Sequence, residues 1–355
     1  MKDEPVFNPD MLRLAREARE MTQSELAKAA GVTQALVSKL EHGLIAQPSD
    51  EVTEGFAHAL SFPVAYFHQR DRAIGLPAYH QRQRLKLAAK PLARIGAVIN
   101  IRRQHVLRLM RSYETDIAKP IPQIDLIESG LTPEKVAERL RAYWLLPRGP
   151  VPSVVDTIEH AGGIVVLTGF NTALLQGISF RSEGLPPLFF MNRDVSGDEF
   201  RYALARELGH LVMHTVPEDD AVMEEQARRF AAAFLMPAAD IKPYLIEPKL
   251  SSLGRVKAFW KVSIRALIER ARDLNLVTEH QYKALGTQYA KAFKNGEPHE
   301  IEPERPWRLA EVVRYHREEL GYSLADLAKL LVAREQDIER AYLPKSPGLR
   351  LVVSN

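Results

Sequence analysis

Cysteine is missing from all 355 residues of this chain. Its absence excludes disulfides and every zinc site built on thiolates, and it makes a reducing compartment harmless. A transition metal would have to use His, Asp or Glu. Long apolar runs are missing too. No stretch approaches the roughly 18 residues of a membrane span, and the opening MKDEPVFNPD has no apolar segment of the kind a secretory signal needs. The expectation is a cytoplasmic protein with no membrane partner. Net charge is only +3, and 46% hydrophobic with 26% charged residues is ordinary for a globular chain. At roughly 100–200 residues per domain the length suits two or three domains. Acidic residues are locally absent between Arg72 and Tyr113. Arg72, Arg82, Arg84, Lys86, Lys90, Arg94, Arg102, Arg103, Arg108 and Arg111 all fall there. A block of one sign serves either phosphate contact or a solvated helical face.

The first seventy residues are dense in helix signals. Pro9 and Asp10 open a helix with Leu12, Ala15 and Arg19 at helical spacing. Thr22 followed by Glu25 is a capping-box signature, and Leu26 and Ala29 give the next helix its apolar side. Gly31 supplies the positive φ of a sharp turn. Thr33 caps a third helix with Val37 and Leu40 on its apolar seam, and Gly43 ends it. Two short helices joined by a glycine turn form a helix-turn-helix, whose second helix enters the major groove. On that helix Gln34, Ala35, Ser38 and Lys39 point outward. Gln pairs with adenine, Lys with guanine, and Ala meets a thymine methyl. Gln23, at the start of the preceding helix, is placed for a phosphate.

TQSELAKAAGVTQALVSKLEHG resembles the XRE family, the phage-repressor type of helix-turn-helix, over roughly residues 8–66. Leu36 departs from it, standing where the family carries a small polar residue. The alternative for the whole unit is a helical dimerisation module without DNA contact.

The middle of the chain changes pattern. Residues 71–125 read as a basic linker and a long helix, with Ile95, Ile99, Val106, Leu109 and Met110 on one side and Arg on the other. Thr132 and Pro133 open a further helix, and VPSVVDTIEHAGG reads as another. IVVLTGF, LQGISF and PPLFFMN are short strand-like runs before the helix GDEFRYALARELGHLVMH. The pattern predicts a small α+β domain.

That last helix carries the chemical question. A zinc peptidase of the HExxH type needs two His at i and i+4 on one face, with the Glu between them activating water. Here the residues are Arg206, Glu207, Leu208, Gly209 and His210. The surroundings resemble the ImmA/IrrE family of metallopeptidases over about 130–240, through RELGH and the following EEQARRFAAAFLMP. Phe200, Arg201 and His214 fit as well, and FWKVSIRALIERARDLNLVTEHQYKAL is similar to the helical tail of longer members. The resemblance implies a zincin-like fold, with Glu207 as vestigial base and His210 and Glu224 as vestigial ligands. Arg206 stands at the first ligand position. Arg is always protonated and donates only, so no metal cofactor is expected. One idea places its guanidinium in the vacated position against Glu207 or Glu224, offsetting carboxylates that are costly when buried unpaired. The other turns it to solvent. Two rescues stand beside these. A zinc could shift to His210 and His214, or the pocket could have become a ligand-sensing groove.

Toward the end, NGEPHEIEPERP reads as a linker. SLADLAKLLVAREQDIERAY can then be laid without gaps on TQSELAKAAGVTQALVSKLE. Ser323 falls on Thr22, Asp326 on Glu25, Leu327 on Leu26 and Ile338 on Val37, while Val332 replaces Gly31. Glu335, Asp337 and Glu339 occupy the would-be reading helix, where carboxylates repel phosphate. LPKSPGLRLVVSN reads as a tail or edge strand.

The expected architecture is mainly α and multi-domain. It comprises an all-α helix-turn-helix domain (1–70), a basic linker and helix (71–125), an α+β zincin-like domain (126–245), a helical extension (246–300) and a degenerate helix-turn-helix-like end (301–355). The expected function is a sequence-specific transcriptional regulator. It would bind a double-stranded DNA operator as a homodimer and answer to a protein partner or small-molecule effector. The alternatives are a zinc-dependent endopeptidase that cleaves a repressor, and an antitoxin-like interaction protein.

Overall fold

The computed structural model describes residues 6–77, 87–216 and 218–343. The chain forms two compact units. One comprises Met1–Leu76, Ala88–Glu114 and Leu309–Asn355, the other Pro77–Leu87 and Thr115–Arg308. The protein is mainly helical, with one small sheet among the described residues.

In the first unit, Asn8 caps α1 (Pro9–Ala18) by accepting from the Asp10 amide, with Pro9 in the first turn. Thr22 and Glu25 form the reciprocal capping box of α2 (Gln23–Ala29). Gly31, at φ +69°, turns the chain, and Thr33 caps α3 (Gln34–Glu41). Ser49 caps α4 (Asp50–Leu60), and a 3-10 turn follows at Val64–His68. Met11, Leu12, Leu26, Val37, Leu40, Phe56, Leu60 and Phe67 close a single core beneath these helices. The long helix α5 (Ala89–Met110) packs on α1. Its basic residues do not all form a solvated stripe, contrary to the amphipathic reading. Arg103 and Arg108 are 7% and 9% exposed. Arg103 donates to the Arg72 carbonyl and Arg108 to Gln69, Asp71 and the Leu331 carbonyl. A run of like charge says nothing about which members a neighbouring element will bury. Arg82, Arg84 and Lys86 lie outside the described residues, as do Pro344–Asn355.

In the second unit, α6 (Leu126–Ser129), α7 (Pro133–Tyr143) and α8 (Val154–His160) precede three strands. These are β1 (Ile164–Thr168), β2 (Gly177–Phe180) and β3 (Leu188–Asn192), in the order β1-β3-β2. β1 runs parallel to β3, pairing Val166 with Phe190, and β2 runs antiparallel to β3, pairing Ile178 with the same Phe190. α9 (Gly197–Met213) and α10 (Asp220–Leu235) pack on each other, and α9 also packs on β2 and β3. Gly209 permits the approach of the two helices, since a Cβ there would stand 2.8 Å from the Phe230 ring. α11 (Ala238–Ile241), α12 (Leu250–Trp260), α13 (Ile264–Asp273) and α14 (Glu279–Ala292) complete the helical part. Leu253, Trp260, Leu267 and Leu285 join the same core as α9 and α10.

The chain then returns to the first unit as α15 (Arg308–Glu318), α16 (Leu324–Leu331) and α17 (Glu335–Tyr342). Ser323 and Asp326 form a reciprocal capping box like that of Thr22 and Glu25. Val332 takes φ +50°, the left-handed conformation that Gly31 has in the first repeat. No helix of the described residues is long and apolar enough to cross a membrane.

Candidate functional site

Two sites follow from these elements. The first is the exposed side of α3, where Gln34, Ala35 and Lys39 face solvent and Ser38 is half-buried. Gln34 is not left to wander. Its Nε2 donates to Gln23 Oε1 at 2.8 Å, Gln23 Nε2 donates to Glu41 Oε2 at 2.8 Å, and Arg16 grips both Glu41 oxygens at 2.6 and 2.9 Å. A bidentate guanidinium–carboxylate pair is stiff as well as strong, so the relay from α1 through α3 and α2 orients the amide of Gln34. Gln23, at the α2 N-terminus, therefore props Gln34. Arg16 and Glu41 were missed in the sequence because 25 residues separate them, and no local pattern marks such a pair. Ser38 is half engaged within its own helix, where the His42 ring bonds its carbonyl at 2.7 Å. Leu36 packs against the domain core, at the edge of the helix pair.

The second site lies on α9 and α10, which bring Arg206, His210 and Glu224 together. Arg206 Nη1 is 3.7 Å from Glu224 Oε2, and His210 Nε2 is 3.6 Å from Glu224 Oε1. His210 is fully buried, and Glu224 is 16% exposed. The rings of His210 and His214 share a hydrogen bond between their Nδ1 atoms at 2.9 Å, and His214 Nε2 meets Gln226 Oε1 at 2.9 Å. Glu207 is also fully buried. Ser179 of β2 places its hydroxyl 2.9 Å from Glu207 Oε2 and 3.0 Å from the Glu207 carbonyl, which holds the helix to the sheet at this point. Ser179 and Gln226 carry no sequence signal of their own and are found only through the fold.

Arginines elsewhere on these two helices are compensated by acids and carbonyls. Arg228 binds Glu225 and Asp273, and the Glu225 hydrogen bond foremost holds its guanidinium charged. Arg201, on α9, is 1% exposed and donates to Val151 and Lys261 carbonyls and to Glu304. Burial pulls its pKa down to about 10, so it stays charged at neutral pH.

The donor set does not fit zinc. A guanidinium offers no lone pair and brings a positive charge to where a cation would sit. Among the described residues no three His, Asp or Glu side chains converge as a metal-binding group.

The geometry thus gives a helix-turn-helix with an exposed α3, and a helix pair, α9 and α10, that brings Arg206, His210 and Glu224 together. Residues 12–67 match the family model described as helix-turn-helix, and residues 159–272 match that of the IrrE N-terminal-like domain. The chain joins a DNA-binding helix-turn-helix module to an IrrE N-terminal-like domain. No curated protein matches the chain.

Proposed function

We propose that this protein is a sequence-specific transcriptional regulator whose α3 reads an operator, and whose peptidase-like domain serves as a sensor or interaction domain and not as a zinc peptidase. The observation that carries the reading is the relay Arg16–Glu41–Gln23–Gln34, which presents a fixed amide on an exposed helix next to Ala35 and Lys39. A fixed amide suits the bidentate pairing of Gln with adenine, and Lys39 reaches toward guanine. Ser38 completes the reading face. Between α9 and α10, the Arg206 guanidinium supplies positive charge to the half-buried Glu224. It takes the role of the cation without any of a metal's chemistry, leaving Glu207 a vestigial base.

Selection of duplexes from a random pool tests the first half. The wild-type chain enriches one sequence, and Gln34→Ala with Lys39→Ala lowers affinity for it by about 30-fold or more, since each base pairing is worth about 1–3 kcal/mol. Retained preference in that variant would remove α3 from the role. For the second half, Glu207→Gln leaves regulation of a reporter gene unchanged. Loss of regulation in a Glu207→Gln chain that folds and binds DNA normally would restore the peptidase reading.

A further inference from the structure

The first unit contains the helix-turn-helix fold twice. The interval from the Thr22 cap to the Thr33 cap equals that from Ser323 to Arg334, and both first helices carry a reciprocal capping box. Leu26 and Leu327 are both fully buried, Val37 and Ile338 are buried to 0% and 1% exposure, and the turn residues Gly31 and Val332 share a left-handed backbone. By that register Glu335 stands for Gln34, Asp337 for Leu36 and Glu339 for Ser38.

The second copy is docked on the first, and the contacts involve the end of α17 that a reading helix would offer to bases. Arg334, just before α17, donates to the Ala57 carbonyl at 3.1 Å, near the C-terminal end of α4, where the helix dipole favours a cation. Asp337 lies 3.7 Å from Arg19, which also donates to the Leu60 carbonyl and rests over the Phe62 ring. On the other flank the Leu331 carbonyl accepts from Arg108, His105 bonds the Tyr342 hydroxyl at 2.8 Å, and Arg102 lies over the Tyr342 ring. Glu335 and Glu339 remain exposed, where they would meet phosphate with repulsion.

Helix-turn-helix proteins commonly pair two such folds from two chains, each reading one half-site. We propose that here the C-terminal copy stands in for the second protomer, so that one chain presents one reading helix and occupies a single half-site without a second chain. The proposal rests on the DNA-reading role of α3. Its consequence is that the homodimer expected from sequence is not needed for the DNA complex.

The test uses the full chain and the duplex it selects. Native mass spectrometry and hydroxyl-radical footprinting are run on that duplex, and on one with a second, symmetry-related half-site one helical turn away. The expected result is one chain per half-site, a footprint confined to one half-site, and less than about a threefold gain in affinity per half-site on the paired duplex. A cooperative complex of two chains that binds the paired duplex more than about tenfold better overturns the proposal. So does a single chain that protects two half-sites, with Glu335→Gln and Glu339→Gln changing the second. Absence of any sequence-preferring complex would instead remove the role of α3, a failure distinct from these two.

Discussion

The two helix-turn-helix copies share a backbone and differ in nearly everything that faces outward. Both have the capping box, the buried leucine and the left-handed turn. The first turn uses Gly31, and the second forces a β-branched Val332 into the same conformation. α3 offers an oriented glutamine and a lysine, while its counterpart α17 offers carboxylates and has its leading end in contact with Arg19 and α4. Burial pattern and caps therefore maintain this fold, while the exposed positions alone decide what it touches. α9 and α10 follow the same rule in the second unit. Their packing, Gly209 included, persists around an arginine where the zincin pattern has a ligand.

Substitutions at matched positions measure how far the likeness of the two copies goes. The largest effect belongs to the shared core. Leu26→Ala and Leu327→Ala should each destabilise by about 2–5 kcal/mol, the usual range for a buried leucine, read by urea denaturation. A cost under about 1 kcal/mol at Leu327 alone would mean that the second copy is only loosely attached. Next comes the turn. Gly31→Val should destabilise by about 1–2 kcal/mol, the cost of a left-handed L-residue. Val332→Gly should gain about 0.5–1 kcal/mol, part of the relief being returned as glycine entropy. Equal responses at the two turns would contradict the strain assigned to Val332. The caps are comparable, at about 1 kcal/mol each for Thr22→Ala and Ser323→Ala.

The smallest effect is on pH dependence. Glu25 is held below the ordinary carboxylate range by the Thr22 amide and then its hydroxyl, and Asp326 by the Ser323 hydroxyl and then its amide. A lowered folded-state pKa contributes stability above the unfolded-state value and loses it as pH falls through the folded-state value. Both copies should therefore lose this support on acidification below the ordinary carboxylate range. The difference in melting temperature between wild type and Glu25→Gln or Asp326→Asn should shrink there, in the same sense for both.

The second unit admits the parallel experiment. Purified wild type, dialysed against zinc and then metal-free buffer, should retain less than about a tenth of an equivalent, whereas Arg206→His should approach one. The substitution offers zinc an imidazole in place of the guanidinium, beside His210 and Glu224. Equal metal content in the two proteins would contradict the role given to Arg206.

Much of this was legible in the sequence. Caps, helical periodicity and the glycine turn located α1 to α3, three short β-rich runs gave the strands, and the gapless overlay placed Val332 at a turn. The pairing of Arg206 with Glu224 was one of two readings open to it, and charge favours it because a half-buried carboxylate needs a partner. What was not legible depends on contacts distant in sequence. Arg16 meets Glu41, Ser179 meets Glu207, and Tyr342 meets His105 across 237 residues. Nor does a basic block reveal that Arg103 and Arg108 turn inward, since that is decided by the carbonyls and acids that neighbouring segments bring.

The claim that one copy reads and the other does not is tested most directly by titrating the selected duplex with two double variants in parallel. Gln34→Ala with Lys39→Ala should lose sequence-specific binding, and Glu335→Ala with Glu339→Ala should bind as the wild type does or slightly better. Specific binding that survives the first pair of substitutions and fails with the second would contradict the account.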